Sequence, residues 1–141
     1  MIQKLLVICV GAFFGFGLAG ARAAEKARAD LSKIPPPASK TGVTYAVDVK
    51  SIFDQACVKC HGAEKPKGRL RLDTLAGALK GGEGGKSILP GDSAGSVLVH
   101  NIAHAGHPDD YMPPPRNKAN IPPLTKEQIA LIRAWIDQGA K

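Results

Sequence analysis

Apolar positions along the chain mark out a few short helices separated by long stretches that cannot be helical. From Asp48 onward Val49, Ile52, Phe53 and Ala56 recur on one face, with Asp48 placed as an N-cap, and this helix runs straight into Cys57. Residues 62–92 are rich in glycine and read mostly as loop, with a short helical turn over Thr74–Lys80. Within them Lys67-Gly68-Arg69-Leu70-Arg71-Leu72-Asp73 alternates basic and apolar residues, as a brief extended segment would. Ser93 is placed to cap a helix from Ala94 to about Ala103, whose apolar stripe is Val97, Leu98 and Ile102. A turn-rich stretch, His104 to Pro123, follows. The last helix is the best signalled: Thr125-Lys126-Glu127-Gln128 is a capping box, Ile129, Ile132 and Ile136 share a face widened by Leu131 and Trp135, and Gly139 is a natural stop. The expectation is an all-α domain of three to four helices joined by long Gly/Pro-rich loops. No strand–helix alternation and no internal repeat is visible.

The N-terminus has a different character. Lys4 precedes an apolar run from Leu5 to Gly20, and Ala21-Arg22-Ala23 supplies small residues at −3 and −1, so residues 1–23 read as a secretory signal peptide. The run falls short of the roughly 20 apolar residues that a spanning helix needs, although a retained N-terminal anchor is the competing reading. Residues 24–44, with Ile34-Pro35-Pro36-Pro37, read as a Pro-rich linker, and the domain is expected over 45–141. Export places the protein in the periplasm or otherwise outside the cytoplasm. Membrane association follows only if the leader is retained.

Cleavage also alters the chemistry. Of three cysteines, Cys57 and Cys60 remain; of two methionines, Met112 remains. Both cysteines lie in Cys57-Val58-Lys59-Cys60-His61, the C-x-x-C-H spacing of c-type haem attachment. Two thiols three residues apart bond the two vinyl groups of one porphyrin, and the following imidazole lies beneath the iron. A core this small and loop-rich is marginal alone, and one covalently held haem would supply its missing apolar centre. The rival readings are a zinc-binding structural module, for which His100 and His104 could join the two cysteines, and a redox dithiol. For the sixth iron ligand, Met112 in Tyr111-Met112-Pro113-Pro114-Pro115 offers a soft thioether on a proline-stiffened loop. His107 is a competitor; His100 and His104 read as surface or core-edge residues.

Charge narrows the partners. The formal net charge of +7 falls to +5 once Lys4 and Arg22 are removed, which suits an encounter with a redox partner protein bearing an acidic docking face. Without a basic run, and with one Trp and two Tyr, the chain gives no basis for nucleic-acid binding. Gly84-Gly85-Lys86-Ser87 resembles the end of a phosphate-binding loop, but Lys80 stands where that pattern requires glycine. No catalytic triad or paired carboxylates stand out.

Taken together, Val49–Phe53, Cys57–Gly62, Lys65–Asp73, Leu89–Ser93, Met112-Pro113-Pro114, Leu124-Thr125 and Ile129 through Trp135-Ile136 to Gly139-Ala140 resemble the class I c-type cytochromes, above all the planctomycete-type cytochrome c domain. The resemblance covers about residues 45–140. It implies the small cytochrome c fold, thioether bonds at Cys57 and Cys60, His61 as proximal and Met112 as distal iron ligand, and Phe53 packed against Trp135 or Ile132. The polar stretch from His104 to Asp110 departs from it. The function expected is that of an exported monohaem electron carrier rather than an enzyme, with a haem sensor or catalytic subunit bearing a labile sixth ligand as the alternative.

Overall fold

The computed structural model describes residues 29–141; the expected leader, 1–23, lies outside the described residues. Within them are five α-helices and no strand: α1 (Lys50–Ala56), α2 (Val58–His61), α3 (Leu75–Lys80), α4 (Val97–Ile102) and α5 (Lys126–Asp137). The all-α expectation holds.

A π-helical turn, Tyr45–Val49, leads into α1. Its cap is Thr44, not Asp48: the Thr44 hydroxyl accepts from Val47 N at 3.3 Å, while the Asp48 carboxylate reaches back to accept from Thr44 N at 2.9 Å. Each group thus satisfies a backbone donor that the start of the helix leaves free. α4 is likewise shorter than its apolar stripe suggests, starting at Val97. The cause is local. Ser93 gives its hydroxyl to Asp137 at 2.9 Å, and Ser96 donates to the Asp92 carbonyl at 2.7 Å, so residues 93–96 are held in turns. In α5 the Thr125–Gln128 capping box forms in both directions, and Gly139 ends the helix at φ +97°, a conformation glycine adopts without steric cost.

The core is built around three rings. Phe53 meets Trp135 edge to face at 6.1 Å, and Tyr45 lies 5.9 Å from Trp135 and 6.1 Å from Phe53. Val49, Ile132 and Ile136 are fully buried around them. Both polar ring atoms are satisfied: Tyr45 donates to the Leu72 carbonyl at 2.9 Å and Trp135 Nε1 to the Lys141 carbonyl at 2.9 Å.

The described part of the Pro-rich segment, 29–44, lies along α5. Ala38 N donates to Ala130 O at 2.9 Å, Arg133 donates to the Pro35 carbonyl, and Gln138 donates to Lys40 O at 2.8 Å while accepting from Val43 N at 3.1 Å. Val43 is buried, so packing begins ahead of Tyr45.

Two outcomes test this packing in the haem-loaded protein. Phe53→Ala should cost about 3–5 kcal/mol in denaturant unfolding, the range for deleting a buried aromatic ring. The bond from Lys40 and then that from Thr44 N hold the Asp48 carboxyl below the usual carboxylate range. A depressed folded-state value gives stability that is present above about pH 3.9 and lost as pH falls through the folded-state value. Asp48→Asn should therefore flatten the acid limb of stability against pH, and an unchanged limb would refute this role.

Candidate functional site

The end of α1 delivers the first site residue. Cys57 joins α1 to α2, and the Cys60 and His61 amides both donate to the Cys57 carbonyl, at 3.0 and 2.8 Å. That single turn turns C-x-x-C-H into a compact cluster. Cys57 is buried and Cys60 half-buried, both as free thiols. Burial, with the nearby Cys60 adding to it, pushes the Cys57 thiol up to about 12, so this sulfur stays uncharged.

The loop after α2 orients the imidazole. His61 Nδ1 donates to the Leu70 carbonyl at 3.2 Å, and Leu72 N donates back to His61 O at 2.8 Å. A ring whose Nδ1 proton is engaged by a backbone carbonyl keeps Nε2 as its free lone pair, the arrangement found behind metal-bound histidines. Burial lowers the His61 pKa, with the Leu70 bond opposing it, so the neutral form is favoured. The Lys67–Asp73 alternation does not make a strand. Lys67–Arg69 is a 3-10 turn with Gly68 at φ +59°, and beyond it Leu70 and Leu72 both face the cavity.

Met112 comes from the loop that follows α4. Its amide donates to the Asn101 carbonyl at the end of α4, at 3.0 Å, and its side chain is half-buried against the core. Downstream, the Asn117 amide group bonds to Pro114 O at 3.0 Å and to both backbone groups of Ile121 at 2.8 Å, pinning the loop.

Cys57, Cys60, His61 and Met112 line one cavity of about 100 Å³, partly open to solvent. Ala56, Leu70, Leu72, Leu98, Ile102 and Leu124 supply much of its wall, and among the described residues no acidic or basic side chain other than His61 lines it. One buried polar atom in this wall, Ser87 Oγ, has no hydrogen-bond partner. A large apolar ring system bearing a soft metal fits such a lining, and the donor set offers two thiols for covalent bonds with an imidazole and a thioether for the metal.

The rival histidines lie elsewhere. His100 Nε2 is bonded to Ala94 O at 2.6 Å, His107 Nδ1 accepts from Asp109 N at 3.3 Å, and His104 stacks on Tyr111; none lines the cavity. Among the described residues no group of three or more His, Cys, Asp and Glu is arranged to hold a metal ion. The hydrogen-bonding supports were not evident in the sequence. The Leu70 and Asn101 contributions are backbone carbonyls, which carry no side-chain signature, and Asn117 sits in a stretch that reads only as loop.

The described residues form a small all-α domain around this cavity, an architecture consistent with a small cytochrome c fold. Residues 57–116 match the family model described as Planctomycete cytochrome C, a stretch that starts at Cys57 and takes in Met112. Over those residues the chain is similar to cytochrome c-type domains. Comparison with curated proteins finds no match, and comparison with solved structures finds none.

Proposed function

We propose that this chain is an exported monohaem c-type cytochrome that carries single electrons, with thioether bonds at Cys57 and Cys60 and an iron axis from His61 to Met112. The observation that carries the reading is the convergence of these four side chains on one cavity whose only titratable lining groups, among the described residues, are the two thiols and the imidazole. Bound haem supplies a one-electron iron couple, and Met/His ligation sets it higher than bis-histidine ligation would. The chain's own part is to hold that couple still. Leu70 O fixes the plane and tautomer of His61, Asn101 O fixes the backbone of Met112, and the aliphatic wall lowers the polarity around the site. An unchanged ligand set keeps reorganisation small when the metal changes charge.

The donor set argues against the zinc module: among the described residues no group of three or more His, Cys, Asp and Glu is arranged to hold a metal ion, and neither His100 nor His104 lines the cavity. One observation favours the reading with a labile sixth ligand: Met112 and His61 also line a second, more open cavity, with Lys67, Glu83, Lys86 and Asp110. In the carrier reading those lysines lie where an acidic redox partner would dock. The exported, periplasmic location rests on the leader, residues 1–23.

Expression with a haem-attachment system and one optical spectrum separate the readings. The carrier predicts haem staining that survives denaturation, an iron–sulfur charge-transfer band in the oxidised protein and no carbon monoxide binding when reduced. Met112→Ala should abolish the band and leave the haem attached; Cys57→Ala with Cys60→Ala should abolish the attachment. A band that survives Met112→Ala would refute the distal ligand. Carbon monoxide binding to the unaltered protein would favour the labile-ligand reading.

A further inference from the structure

The stretch from His104 to Asp110, which departs from the family resemblance, contains an arrangement that the ligand set leaves unexplained. The His104 and Tyr111 rings are parallel within 1° with centroids 4.3 Å apart. Tyr111 is the residue directly before Met112, and His104 follows α4, whose Asn101 carbonyl accepts from both His104 N at 3.2 Å and Met112 N at 3.0 Å. His104 adopts φ +51°, a backbone conformation rare for a residue with a side chain, and its Nε2 is buried with no hydrogen-bond partner. A residue at this position thus accepts an unfavourable backbone and an unsatisfied polar atom, both of which work against the fold. What it has in return is face-to-face contact with the ring that precedes the proposed ligand.

We propose that the His104–Tyr111 stack is the latch of the Met112 loop, with His104 a positioning residue that acts through Tyr111 to hold the Met112 sulfur in the cavity. The inference rests on the His61–Met112 ligation proposed above. α4 is anchored in the core by Leu98, Val99 and Ile102. The stack ties the residue before Met112 to the end of that helix, and the Asn101 carbonyl ties Met112 itself. Two attachments on successive residues restrain the rotation of the loop, which one hydrogen bond alone leaves free. The ring plane carries the contact and the unpartnered nitrogen does not, so any flat ring of similar size at position 104 should serve.

The test uses the haem-loaded protein and follows the iron–sulfur band of the oxidised state, the affinity for added imidazole, and helix content by circular dichroism. An aromatic pair contributes enough beyond area burial that His104→Ala should tighten imidazole binding by about two- to tenfold. The band should also vanish on heating well before the helices melt. Tyr111→Leu removes the other ring and should give the same two changes. His104→Phe keeps the ring without the buried nitrogen and should restore the band and imidazole resistance to at least the unaltered level. The proposal is overturned if His104→Ala and Tyr111→Leu leave imidazole affinity unchanged, or if the band is lost only together with the helices. An unaltered protein with attached haem but no iron–sulfur band would defeat the ligation itself, a failure visible before any variant is made.

Discussion

Packing of Trp135 against Phe53 and Tyr45 is the interaction on which the rest of this structure depends. The chain has few large apolar residues and long loops, and these three rings, from the two ends of the domain, are the largest contacts it can make. Closing them brings α5 onto the helical segment that begins at Tyr45. Since α1 runs directly into Cys57, the same closure fixes where the thiols stand. The Tyr45 hydroxyl carries the constraint one step further: its bond to Leu72 O holds the loop that gives His61 its orientation and the cavity two of its leucines.

The cavity inherits this economy. It is not a hollow within a well-filled core but the space that a short chain leaves because it has too little apolar volume to fill it. Part of its wall is helical, from Cys57 to His61, and part is a loop held by backbone hydrogen bonds and side-chain pins. Rigidity differs accordingly. The thiol and imidazole side rests on α1 and α2, whereas Met112 depends on Asn101 O and the ring contact before it, with Asn117 closing the loop behind. In the proposed reading, the side that would keep the haem attached rests on helices, and the side that would tune the iron rests on a loop.

Much of this was legible in the chain because the signals were local. The Thr125 capping box, the spacing of Ile129, Ile132 and Ile136, and C-x-x-C-H each depend on residues within a few positions of one another. Errors arose where two local claims compete for the same groups. Asp48 is a good cap on paper, but Thr44 lies ahead of it and Asp48 completes the exchange from within the turn. Ser93 would cap α4 had Asp137, distant in sequence, not taken its hydroxyl. The alternation at Lys67–Asp73 reads as a strand only if the left-handed turn at Gly68 goes unseen. What stayed illegible was tertiary: the Leu70 and Asn101 carbonyls that orient the proposed ligands, the parallel rings of His104 and Tyr111, and the packing of residues 29–44 along α5.

The account stands or falls on whether the Met112 sulfur sits on the iron opposite His61. The proton spectrum of the reduced, haem-loaded protein reads this directly, because a methyl group held over a porphyrin face is shifted far upfield by the ring current. The account predicts one such three-proton resonance, assigned to the Met112 methyl by its loss in a Met112→Ala sample. A reduced protein with attached haem and no upfield methyl resonance, or with a second imidazole in its place, would contradict it.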